Sequence, residues 1–291
     1  MWNAGSIRET RAVTKQARGV WALLGGAAAW GVLWYPLRLF AAHGLSGLWL
    51  TVCLYAGALL LISPGVRAPL ASWRSLTALA FFGGVTNIGF VLAVLTDNVL
   101  RVTLLFYLSP VWAVLLGWMF LGERLGWRVM AGVVVALAGL FMILWHEAIL
   151  VIHVADVYAL VAGFSFAAAN VLIRAETTLT IGAKAQATFF GVVVLGVVAA
   201  VFAGIAPPPL SGVVAGLALG AGGLVILAIT VAVQYGVTAL PVRQSAVIAL
   251  IEVLTAAVSQ QLWLHEGMTV ATVAGGAVLA AGATIVARYE E

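Results

Sequence analysis

Glu252 is the one acidic side chain near the middle of a long apolar run in this 291-residue chain. A carboxylate at the centre of a bilayer costs from about 2.5 kcal/mol upward, so such a group faces a cavity or a partner and serves ion or proton chemistry. The alternative is a hydrogen-bonded carboxylic acid that braces helices. On the same helical run, Ser245, Glu252, Thr255 and Ser259 fall at steps of seven, three and four, which puts them on one face. An earlier run carries a matching line of Thr103, Tyr107 and Pro110. Pro110 removes one backbone hydrogen bond and frees a carbonyl, which lipid tolerates only where protein or cavity water compensates. Each line is either a pathway lining or a helix-packing seam.

Asn87, Asn170 and Gln234 add uncharged groups that both donate and accept hydrogen bonds. They suit the carboxylate and amine of a zwitterion, and equally the role of glue between transmembrane helices. Trp30, Trp34 and Arg38 share one helical face, and Phe166 stands in the sixth apolar run where Trp30 stands in the first. Trp30 lies too deep for an interfacial belt and either lines a ring-accepting cavity or packs; Arg38 snorkels toward the surface. Arg101 pairs with nearby Asp97 or attracts an anionic substrate group. Glu123 and Glu266 end their helices and cap neighbouring ones.

These residues must be positioned by membrane-spanning elements. Of the chain, 64% is hydrophobic and 8% charged, against roughly 25% charged in a soluble domain. Ten apolar runs, at 19–39, 46–63, 75–95, 98–120, 127–145, 157–174, 185–204, 211–234, 242–263 and 269–287, each approach the roughly 20 residues that span a bilayer. With a cytoplasmic N-terminus, 12 of the 14 basic residues fall on inner segments, and Arg38 and Arg101 fall outside. That asymmetry supports both the count and the orientation. The basic residues are scattered, so no nucleic-acid stripe forms. Cys53 is the lone cysteine. Neither an intramolecular disulfide, a metal spacing, a nucleophile triad nor a phosphate loop is present, which argues against an enzyme, and no cofactor is expected; His146, Glu147, His153 and Asp156 form only a weak cluster.

The stretch from Leu121-Gly122-Glu123 to Gly139 repeats from Leu264-His265-Glu266 to Gly282 at an unbroken offset of 143 residues. Gly83-Gly84 and Gly222-Gly223 recur at nearly that offset. Five spans per copy make the second copy enter the membrane upside down, the inverted-repeat plan of secondary transporters. The expected fold is all-α integral membrane, ten transmembrane helices as two inverted five-helix repeats. The organisation is an N-terminal cytoplasmic segment 1–18, a first repeat 19–146 and a second repeat 157–287. Gly132, Ala136 and Gly139, with Gly275, Leu279 and Gly282, put small residues on one face of the fifth and tenth spans. Such faces serve packing within a monomer or between the copies of a homodimer.

The run Arg101-Val-Thr-Leu-Leu-Phe-Tyr-Leu-Ser-Pro110-Val-Trp, followed by Phe-Leu-Gly-Glu123-Arg, resembles the fourth-helix signature of EamA-type members of the drug/metabolite transporter superfamily. Its second copy is Ile248-Ala-Leu-Ile-Glu252, ending at Leu264-His-Glu266. Val253 stands where that family commonly has proline, and His265 where it has glycine, so a helix break is less expected in the ninth span than at Pro110. Within the family, the nearest likeness is to YddG-like amino-acid exporters. The resemblance implies a multi-pass protein of the inner (cytoplasmic) membrane with both termini cytoplasmic, exporting metabolites. The expectation is alternating-access export of amino acids, apolar or aromatic ones first. Trp30, Asn87, Thr103, Tyr107, Pro110, Phe166, Asn170 and Glu252 bind substrate, and Glu252 couples protons. Multidrug or cationic-compound efflux is the alternative, with a lipid-modifying enzyme, a channel or a scaffold behind it.

Overall fold

The computed structural model describes residues 4–66, 72–96, 99–124, 126–144, 153–209, 211–264 and 270–288, and among them there is no β-strand. The helices are α1 (Ala4–Val32), α2 (Trp34–Ala42), α3 (Gly47–Ile62), α4 (Trp73–Thr96), α5 (Val99–Phe106), α6 (Ser109–Leu121) and α7 (Trp127–Leu144). They continue with α8 (Val154–Ala175), α9 (Ile181–Phe202), α10 (Gly212–Leu217), α11 (Gly223–Ala239), α12 (Val242–Ala249), α13 (Ile251–Leu264) and α14 (Val270–Arg288). Joined across their bends, they give eight stretches long and apolar enough to cross a membrane. Two shorter apolar helices lie within α7 and α14. Among the described residues, each of the ten apolar runs read from the sequence is therefore mainly helical.

Four of the spanning stretches bend, each for a local reason. In the first, Pro36 has no N–H to offer Val32, and Leu33 instead bonds back to the Trp30 carbonyl at 3.0 Å, separating α1 from α2. In the fourth, α5 stops at Phe106 and α6 restarts at Ser109 with Pro110 in its first turn. In the eighth, a wide π turn at Ala218–Gly222 joins α10 to α11. There Gly57 and Gly223 let α3 and α11 touch backbone to backbone: a Cβ on Gly223 would lie 2.6 Å from the Gly57 carbonyl carbon. In the ninth, Leu250 and Val253 make tight bonds three residues back, to Val247 and Leu250, both at 3.1 Å. This break forms without the proline whose absence at Val253 made it the less expected one.

Small residues hold the bundle together, because lipid offers no hydrophobic drive between helices and association rests on close packing. Along α8 the buried positions are Ala155, Ala159, Ala162, Gly163, Ala167 and Asn170 among others. Large apolar side chains such as Trp118, Phe120, Phe190 and Phe202 point outward instead, as a lipid-facing surface requires. The paired small faces of α7 and α14 meet within the chain. Gly132 abuts Gly282, Ile285 and Val286, whereas Gly139 abuts Gly275 and Leu279, so the two helices run antiparallel. Helices α3 and α9 also run antiparallel, with Val52 at Gly196 and Ile62 at Gly182. Helix α8 packs on α4, α5 and α6; α1 packs on α11, α12 and α13.

Candidate functional site

The breaks in the fourth and ninth spans bring their residues together at the core of the bundle. Tyr107 follows the end of α5 and Glu252 opens α13; the Tyr107 hydroxyl donates to Glu252 Oε1. Both side chains stay partly accessible. The partner of the carboxylate is thus an uncharged phenol that can donate or accept a hydrogen bond. Pro110 frees the carbonyl four residues back, that of Phe106, and the structure lays it against Gly163 of α8. A Cβ on Gly163 would come within 2.6 Å of that oxygen, so the bare Cα is what lets α8 cover it.

An aromatic wall flanks the pair. Phe106 stacks edge-on with Phe90 at 5.1 Å, with Tyr107 at 5.5 Å, and tilts against Phe166 at 5.6 Å. Phe166, a candidate from the sequence, therefore lies in this wall, and Phe106 and Phe90 join it without having been singled out. Phe106 carried a signal, since it lies next to Tyr107 in the signature run. Thr103 sits one turn before Tyr107, its carbonyl accepting the Tyr107 N–H at 3.0 Å. Pro110 is buried in α6.

The remaining candidates lie elsewhere in the bundle. Asn87 of α4 accepts from the Tyr55 hydroxyl at 2.6 Å and donates to the Gly83 carbonyl at 2.9 Å, tying α3 to α4. Tyr55 is a buried phenol that spacing alone did not reveal. Asn170 is buried on α8. Trp30 packs against the apolar cluster that includes Leu33, Leu48 and Ile226. Gln234 donates to Thr188 of α9 at 3.4 Å, which is the gluing role. The polar line on the ninth span divides. Ser259 accepts from Trp34 Nε1 at 2.9 Å, and Thr255 fills the space that a side chain at Gly31 would need. Those two residues form a seam with α1 and α2, and only Glu252 reaches Tyr107.

Two carboxylates fasten the outer ends of the broken spans. Arg101 on α5 meets Asp156 on α8 through a forked contact, Nε to Oδ1 at 2.6 Å and Nη2 to Oδ2 at 2.5 Å. Asp156 also accepts the His153 N–H at 2.8 Å in a capping box. Asp97, the partner suggested by sequence proximity, lies outside the described residues, as do His146, Glu147 and Glu266. At the other end, Gly122 ends α6 at φ +65°, in the left-handed region that glycine occupies without strain. That turn directs Glu123 onto the first N–H groups of α12, Val242 at 2.9 Å and Arg243 at 3.5 Å. Glu123 thus caps a neighbouring helix, with its charge at the positive end of that helix's dipole.

Residues 17–145 match the EamA-like transporter family, in line with the resemblance carried by the fourth-span signature. Over 134 residues the chain is 32% identical to the probable terminal-alkyne amino-acid exporter of Streptantibioticus cattleyicolor, an overlap of 43% of this chain and 44% of that protein. The chain thus spans less than half the length of this curated relative. The fold recurs in a solved crystal structure with a TM-score of 0.77 at 17% identity, covering 94% of this chain and 98% of the other.

Proposed function

We propose that the protein is a secondary transporter of the cytoplasmic membrane that exports small metabolites by alternating access, amino acids with apolar or aromatic side chains first. Its two halves, 19–146 and 157–287, are inverted repeats around one central site, and both termini are cytoplasmic. Trp30, Asn87, Thr103, Tyr107, Pro110, Phe166, Asn170 and Glu252 contribute to substrate binding, and Glu252 carries the coupling proton.

The observation that carries this reading is the Tyr107–Glu252 hydrogen bond between two broken spans, beside rings suited to an apolar side chain. The contacts between halves support the repeat. Exchanging each first-half helix for its counterpart turns α4 on α8 into α11 on α1, α4 on α9 into α11 on α3, and α6 on α8 into α13 on α1, and all six contacts occur. The antiparallel α7–α14 and α3–α9 pairs map onto themselves. The Streptantibioticus relative, named an exporter of amino acids, favours that substrate class.

Purified protein in liposomes, loaded with labelled amino acids and given a pH gradient in either direction, tests the reading. Flux that saturates with an apolar or aromatic amino acid is expected. No movement of any amino acid, with or without the gradient, would sink it. A carboxylate set among aromatic rings also favours a second reading, efflux of organic cations. Glu252→Gln separates coupling from mere bracing: it abolishes the pH dependence of transport if the carboxylate carries the proton, and unchanged dependence rejects that role.

A further inference from the structure

Helices α5 and α12 are the two short arms of the broken spans, each eight residues long. They stand in the same register of the repeat, since Val99 and Phe106 become Val242 and Ala249 at the offset of 143. Each arm ends near the central Tyr107–Glu252 pair, and each is held at its far end by a carboxylate from the opposite half. Asp156 of α8 holds α5 through Arg101, and Glu123, beyond α6, holds the first turn of α12. The two holds differ in strength. Glu123 makes one hydrogen bond at 2.9 Å and one at 3.5 Å to backbone. Asp156 makes a forked contact between full charges whose side chains are 13% and 8% exposed, the strong, geometrically specific kind of pair.

Helix α5 lies along α8 and is attached to it at both ends, by Arg101–Asp156 at one and by Phe106 against Gly163 and Phe166 at the other. The end near Tyr107 depends on apolar contact and one exposed-backbone approach, which a sliding helix can make and break. The ion pair cannot slide, because parting the charges leaves each one poorly solvated. A motion that uncovers Tyr107 and Glu252 toward the face where α8 begins by lifting α5 from α8 opens this pair.

We infer that Arg101 and Asp156 are positioning residues of the transport cycle, forming a latch that keeps the central site closed to the face where α8 begins, with α5 as the gate it holds. The latch rests on the transporter reading for its purpose, although access to the site is measured without substrate. The test uses the full chain with Cys53→Ser, which removes the lone thiol, and Thr103→Cys as a reporter on α5. Right-side-out and inside-out vesicles are treated with a membrane-impermeant maleimide. Asp156→Asn is expected to raise the labelling rate by at least about tenfold in the one vesicle type that presents the start of α8, and to leave the other unchanged. The charge-reversed pair Arg101→Asp with Asp156→Arg is expected to return the rate toward that of the parent.

An unchanged rate with Asp156→Asn overturns the latch, as does an equal rise from both sides, which marks general loosening. A charge-reversed pair that labels as fast as Asp156→Asn also overturns it. Should Asp156→Asn fail to fold, Arg101→Lys, which keeps the charge and loses the fork, serves instead: faster labelling from that one face supports the latch and the parent rate rejects it. A reporter chain that labels as expected, while the chain with native Thr103 moves no amino acid, fails the transport reading alone. A chain with native Thr103 that transports, while the reporter labels without regard to Asp156, fails the latch alone.

Discussion

At the scale of the residue, the phenol of Tyr107 is the group whose removal says most about Glu252. A hydrogen bond to a charged acceptor contributes roughly 1.5–3 kcal/mol, so Tyr107→Phe should weaken substrate handling by at least about tenfold in transport KM or rate while the protein folds normally. Liposome flux measured beside a thermal melt checks both halves of that statement. Glu176, at the end of α8 and outside the apolar spans, offers a separate pH test. Thr178 donates to it from its hydroxyl at 2.6 Å and its N–H at 3.0 Å, and Ser75 of the α4 start donates at 2.7 Å. Those donors hold its pKa down to about 2. A folded-state value below the unfolded one means that the stabilisation is present above the ordinary value of 4.5 and is lost as pH falls from there toward 2. The melting temperature of the parent should drop across that window. Glu176→Gln should flatten the drop, and a superimposable profile would count against the hydrogen-bonded carboxylate.

At the scale of the element, the contact between α7 and α14 is set by the missing side chains of its glycines. A Cβ on Gly139 would run into the Leu279 N–H and the Gly275 carbonyl, so larger residues force the helices apart. Overpacking of this kind costs about 1–3 kcal/mol, and Gly139→Leu should lower the melting temperature by several degrees. Gly25→Ala is the matched control: nothing lies within 4 Å of its Cβ position, and alanine favours a helix interior by about 1 kcal/mol over glycine. Equal effects from the two substitutions would argue against the close α7–α14 approach. The kinked spans follow a similar logic. Proline explains the gaps after Val32 and before Ser109, whereas the ninth span bends through two tight backbone bonds at Leu250 and Val253.

At the scale of the whole molecule, the proposed topology puts both ends of the chain on one side of the membrane, an expectation that rests on the distribution of Lys and Arg and the even number of apolar runs. Epitope tags at the two termini should both resist protease added outside intact cells and both be cleaved in inside-out vesicles. Opposite sensitivity would mean an odd number of crossings and would remove the basis for inverted halves. Alternating access also asks that the halves move as bodies against each other. The proposed motion would act on the contacts of α1 with α11, α12 and α13 and of α8 with α4, α5 and α6.

The sequence by itself determined the membrane class, the ten apolar runs and the repeat at 143 residues, and it singled out Glu252, Tyr107 and Pro110 as candidates. These are properties of hydropathy, periodicity and local chemistry, each written in a short stretch of chain. Partnerships between distant stretches were decided only by the tertiary structure. It gave Glu252 to Tyr107, 145 positions away, Arg101 to Asp156, 55 away, and Ser259 to Trp34, 225 away. It also assigned the small-residue faces of α7 and α14 to each other within one chain. The physical reason is that a helical face records which side chains must avoid lipid, and nothing in that record says which other helix will cover them.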